Sequence, residues 1–138
     1  MLSPREVAGV LLGLPMPPQR GEARPVSLDP ERGWYRVVVV LPEGGAQVWW
    51  FEPRTLLLTR WEVLAEHDAV VARMNLADYR EVDGQRFPFE IVLSDVLGRQ
   101  EVSIYYEQVA LNPRLLDTLF TLAPINGVQE IDIDAIRP

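Results

Sequence analysis

The chain has 138 residues, a net charge of −7 and 48% hydrophobic residues, which suits one domain with a sizeable core and leaves little room for a second. All 13 basic residues are Arg, and an acidic chain of this kind is a poor match to a phosphate backbone, so nucleic-acid binding is disfavoured. The absence of Cys excludes disulfides, thiol catalysis and zinc–thiolate sites together. No stretch approaches the ~20 apolar residues of a membrane-spanning helix, and the first residues lack the basic start of a secretion signal.

Ser3-Pro4-Arg5-Glu6 reads as a helix start, with Ser3 as N-cap, Pro4 at the first helical position and Glu6 closing a capping box. Val7, Val10, Leu11 and Leu14 then share one apolar face, and Gly13 and Pro15 end the helix. A helix so short must dock that face on something, either capping the core or plugging a cavity. Residues 15–30, with five prolines, read as a surface loop, and its unusual length leaves a lid role open.

Strands are expected at 34–41, 46–52, 54–64, 69–77, 85–94, 100–111 and 128–134. In the second, Trp49 and Phe51 alternate with Val48 and Trp50. In the third, Leu57, Thr59, Trp61 and Val63 oppose Leu56, Leu58, Arg60 and Glu62. The clearest signal is the stretch 78–94. Asp83-Gly84 separates two alternating runs as a tight hairpin turn, and Phe87, Phe89, Ile91 and Leu93 then fall on one side, with Arg86, Glu90 and Ser94 on the other. Pro88 cannot donate to a ladder, so a free edge or local irregularity is expected there. Val102, Ile104 and Tyr106 share a face, and Pro113–Leu122 reads as a short helical or turn segment. Consecutive strands joined by tight turns must be antiparallel. The predicted class is mainly β (α+β): a curved antiparallel meander of about seven strands forming a half-barrel, with the N-terminal amphipathic helix covering the concave face.

Catalytic chemistry finds little support. His67 lies in a Glu-His-Asp turn and reads as a solvated loop residue; no Lys is present for Schiff-base work, and Ser3, Ser27, Ser94 and Ser103 lack a nucleophile-elbow context. Glu130, Asp132 and Asp134 share one strand face, which suits solvent more readily than a hard cation. No enzyme activity, cofactor or metal is therefore expected. The apolar surplus points instead to a greasy lining for acyl chains, with candidate residues Leu11, Trp49, Phe51, Trp61, Phe87, Phe89, Ile91, Ile104 and Tyr106. The same surface would also serve contact with another protein.

The runs Phe51-Glu52-Pro53-Arg54-Thr55-Leu56-Leu57-Leu58 and Asp78-Tyr79-Arg80-Glu81-Val82-Asp83-Gly84-Gln85-Arg86-Phe87-Pro88, with the ending Ala110-Leu111-Asn112, resemble the LolA/LolB-like superfamily of outer-membrane lipoprotein-sorting proteins. That resemblance, over about residues 34–134, implies a curved half-barrel whose helices cover a hydrophobic cavity. It also implies binding of acyl chains or lipoproteins, and a place in the periplasm or at the inner leaflet of the outer membrane of a Gram-negative bacterium. Proteins of that family carry a leader, a longer N-terminal helix and further strands ahead of the matched region. The chain is thus expected to be the C-terminal portion of a longer lipoprotein, a single domain over 1–138, joined to a membrane only through a lipid anchor it does not contain. Missing strands would open a sheet edge to a homodimer. The competing expectation is a non-catalytic interaction or structural domain of a bacterial lipoprotein that binds no ligand.

Overall fold

The structure, a computed structural model, describes residues 4–15, 17–18, 20–111 and 113–114. Helix α1 spans Pro4–Leu11. It starts at the proline suited to a first helical position; Ser3 lies outside the described residues. Its end is a Schellman motif: Gly13 N–H donates to the Val10 carbonyl at 3.0 Å, Leu14 N–H donates to that of Gly9 at 2.8 Å, and Gly13 adopts φ +64°.

Eight strands form one antiparallel sheet, open rather than closed into a barrel: β1 (Glu22–Ala23), β2 (Ser27–Leu28), β3 (Tyr35–Val40), β4 (Ala46–Phe51), β5 (Leu58–Leu64), β6 (Val70–Val82), β7 (Gln85–Asp95) and β8 (Gln100–Tyr105). Strands β3 to β8 pair in sequence order as a meander, and β1 and β2 both pair with β3. The 15–30 stretch therefore does more than cross the surface, since two pieces of it join the sheet. The expected strand at 128–134, its carboxylate row and most of the expected helical segment at 113–122 lie outside the described residues.

Asp83 (φ +49°) and Gly84 (φ +78°) make the two-residue β6–β7 turn with both central residues left-handed, the geometry that matches strand twist. The strand expected at 54–64 starts only at Leu58. The Glu52 carboxylate accepts hydrogen bonds from the Arg54 and Thr55 N–H groups and the Thr55 hydroxyl at 2.7–3.0 Å, which holds 53–57 as a turn. These bonds, that from Thr55 foremost, hold the Glu52 carboxyl below its ordinary pKa. The register then shifts between Trp50 and Phe51, so Leu58 packs in the same cluster as Trp61, although simple alternation separates them. A second shift lies between Val63 and Leu64. Such bulges bend and twist an open sheet.

Each face has its own core. On the helix side, Met74, Leu76 and Ile91 are buried, with Val10, Leu58, Trp61, Tyr79, Leu93, Ile104 and Tyr106 packed on them. On the opposite side Ala46, Val48, Trp50 and Leu64 form the second cluster, with Trp34, Val38 and Val70. The expected helix face is only partly correct. Val10 docks, but Leu11 and Leu14 are exposed, and the Val7 side chain lies outside the described residues. Gly13 makes the close approach instead, against Pro88, Leu76 and Ile91.

Candidate functional site

The helix face carries an apolar cavity of about 280 Å³. Its floor is one cross-strand row, Trp61–Met74–Leu93–Val102, and its mouth the next, Ala72–Asp95–Gln100. Val10 of α1 forms the opposing wall, and Trp61, Ala72, Leu93 and Val102 line the sheet side. Ala72 makes room for the cavity by presenting only a methyl group between Val63 and Asp95. Beneath it, Met74 and Ile91 are fully buried, so the floor is closed. Trp61 is held in place twice: its indole N–H donates to Gln47 Oε1 at 3.2 Å, and Trp49 packs edge-to-face on it at 6.4 Å between ring centres. At the mouth, Asp95 accepts from the Gly98 N–H at 2.8 Å and leaves a carboxylate beside Gln100.

The expected lining residues divide. Trp61 lines the cavity, Trp49 braces it, and Ile91 and Ile104 belong to the core on the same face. Phe51 is half-buried opposite Tyr35 and Leu58. Leu11 points outward and contributes only its carbonyl, which accepts from the Tyr106 hydroxyl at 2.5 Å. Phe87 and Phe89 are buried away from the cavity. They pack edge-to-face on each other at 6.2 Å, Phe87 meets Tyr106 at 5.4 Å, and the Arg80 guanidinium lies 4.3 Å from the Phe89 ring centre. Pro88 rather than Phe87 or Phe89 lies against Leu76 and Ile91; beside it Asp78 takes φ +50°, and the β6–β7 ladder skips one pair between Ala77↔Glu90 and Tyr79↔Pro88 without a change of register. Strand β8 also stops at Tyr105 opposite Glu90, so Pro88 sits where one ladder has ended.

Val10, Ala72, Leu93 and Val102 line the cavity without having been expected there. Periodicity places Leu93 beside Ile91, Val102 beside Ile104 and Val10 on the apolar helix face; Ala72 carries no signal, since its contribution is space. Ser94 also borders the cavity, with its hydroxyl donating to Glu101 Oε2 at 3.1 Å, and among the described residues no cluster of His, Asp and Glu is arranged for a metal ion. Its chemistry is apolar contact with a polar rim.

No protein-family model and no curated protein matches the chain. Three solved structures do. A domain from Vibrio parahaemolyticus assigned to outer membrane lipoprotein sorting matches 73% of this chain at TM-score 0.55 and 10% identity. A DUF1329 family protein from Desulfovibrio piger matches 73% at TM-score 0.56 and 15% identity. A LolA superfamily protein from Nitrosomonas europaea matches 75% at TM-score 0.49 and 15% identity. The chain spans about half the length of these proteins, 45%, 45% and 49% respectively. Identities this low speak of architecture alone: an open, helix-bearing antiparallel meander that this chain shares with the Vibrio parahaemolyticus domain and the Desulfovibrio piger protein.

Proposed function

We propose that this chain is a non-catalytic lipid- or lipoprotein-binding domain of the bacterial envelope, holding one acyl segment in the helix-face cavity. The observation that carries the reading is the cavity itself, walled by Val10, Trp61, Leu93 and Val102 and closed below by Met74. The likeness of its fold to a domain assigned to lipoprotein sorting supports the same reading.

Size sets what can bind. A volume of 280 Å³ equals about nine water volumes, and a methylene occupies much the same space. Burying about nine methylenes is worth roughly 7 kcal/mol gross, which after an association cost of about 4 kcal/mol leaves a complex of millimolar affinity. The cavity therefore takes part of a single chain, not the several chains of a whole lipoprotein. Asp95 at the mouth disfavours a free fatty-acid carboxylate, whereas the Gln100 amide can donate to an ester or amide carbonyl. The ligand class is thus a neutral-linked acyl chain.

Titration with a fluorescent acyl probe tests this. Saturable binding, a change in Trp emission and loss of both in Ala72→Leu, which fills the cavity, are expected. Absence of saturable binding, or binding that Ala72→Leu leaves untouched, defeats the proposal.

A further inference from the structure

The sheet face opposite α1 carries charge in two neighbouring cross-strand rows: Arg36–Trp50–Arg60–Asn75, and Val38–Val48–Glu62–Arg73. Arg60 Nε donates to Asn75 Oδ1 at 2.9 Å and a terminal nitrogen of Arg60 lies 3.8 Å from Glu62 Oε1. Arg73 Nε donates to that same carboxylate oxygen at 2.8 Å. Arg32, from the loop before β3, places its guanidinium carbon 5.4 Å from the Trp50 ring centre, and Arg36 places its own at 5.5 Å. Two guanidinium groups thus stack on one indole, with Arg60 as its cross-strand neighbour and Arg73 one row further on. Two carboxylates answer them: Glu62, buried, and Asp29, 3.9 Å from Arg32.

Arg32 pairs with Asp29, and Arg60 and Arg73 share Glu62, so four guanidinium groups face two carboxylates in a chain of net charge −7. Like charges held together oppose their own protonation. Burial, and then the charges of Arg73 and Arg32, push the Arg60 pKa below the ordinary arginine value despite Glu62. A second, independent oddity sits at the centre. Trp50 is 6% exposed, and its indole N–H is buried without an acceptor. A buried donor without a partner carries a desolvation penalty. One kind of group relieves both conditions: a small oxyanion, whose oxygens accept from the indole and pair with planar guanidinium forks. Stacking of Arg32 and Arg36 on the Trp50 ring holds them in position before any such group arrives. Arg36 also borders a hollow of about 460 Å³ whose walls carry Arg24 together with Glu66, His67 and Asp68.

We infer that the arginine cluster around Trp50 is a binding site for a phosphate oxyanion, either free or at the head of a lipid. It lies on the opposite face of the sheet from the acyl cavity and stands whether or not that cavity binds a chain.

The test is a titration of the full ¹⁵N-labelled chain with inorganic phosphate at constant ionic strength, following the Trp50 indole and arginine Nε resonances. Saturable shifts are expected that matched sodium chloride does not produce. Arg32→Gln and Arg36→Gln leave the Glu62 pairs intact, and each should weaken the affinity about tenfold, as expected for loss of one charge-assisted hydrogen bond. Flotation with phosphatidylglycerol and phosphatidylcholine vesicles separates the two sources. Binding to the former that inorganic phosphate displaces assigns a lipid headgroup, and phosphate shifts without vesicle binding assign a soluble phosphate. Absence of saturable shifts, or shifts that both variants leave unchanged, overturns the proposal.

Discussion

Replacing Gly13 by alanine tests how α1 is seated. Two costs add at this position. A residue with a Cβ at φ +64° loses about 1–2 kcal/mol in the left-handed region. The new methyl carbon would also lie 2.5 Å from Pro88 Cγ and 2.8 Å from Leu76 Cδ2, an overpacking that costs about 1–3 kcal/mol. The total is roughly 2–5 kcal/mol, or a fall in Tm of about 6–15 °C for a domain of this size. Gly33 supplies the control. It has nearly the same backbone angle, φ +67°, but a Cβ placed there would meet nothing within 4 Å, so Gly33→Ala should lose only the backbone share, about 3–6 °C. Thermal melts followed by far-UV circular dichroism measure both. Because Val10 walls the cavity, Gly13→Ala should also weaken the acyl probe, and Gly33→Ala should not. Equal losses in the two variants would refute the close approach of helix and sheet at Pro88.

Met74→Ala should cost about 2–5 kcal/mol in urea unfolding, since Met74 is fully buried beneath the cavity, and should loosen acyl binding by opening the floor. Tyr79 is pushed up to about 12 by burial, while its hydroxyl donates to the Leu58 carbonyl at 2.6 Å. Its folded pKa lies above the unfolded value near 10, so its contribution is complete below pH 10 and disappears as pH rises towards 12. With allowance for partial exposure this amounts to roughly 1–2 kcal/mol, and Tyr79→Phe should flatten stability across that window in alkaline denaturation. Glu62→Ala should destabilise by about 2–4 kcal/mol, because it leaves Arg60 and Arg73 facing each other without their shared carboxylate; a double-mutant cycle with Arg73 would give the coupling.

Much of the meander was readable because its turns are chemically explicit. Asp83-Gly84 admits few alternatives, and period-2 patterns set the faces of Trp49, Trp50 and Ile91. The failures are local irregularities that alternation does not carry. Glu52 captures the amides of Arg54 and Thr55, which shortens β5, and the register shift beside Phe51 moves Leu58 into the Trp61 cluster. Asp78 carries a positive φ, a feature that residue type permits but does not announce, where the β6–β7 ladder skips a pair. The cavity was half-legible. Its aromatic wall stood out, whereas its volume depends on a small side chain at Ala72.

The two dipeptide strands along β3 have a consequence for how the molecule behaves in a crowd. Between them, with the Arg24 N–H donating to the Val38 carbonyl at 2.8 Å, they occupy β3 from Tyr35 to Val40. Pro25 and Pro30 flank them, and neither has an N–H with which to recruit another chain. That border of the sheet is hemmed like cloth against unravelling. A second copy could zip on there only after the hem was peeled away, so fibre growth from this side is suppressed by the chain's own proline-rich approach.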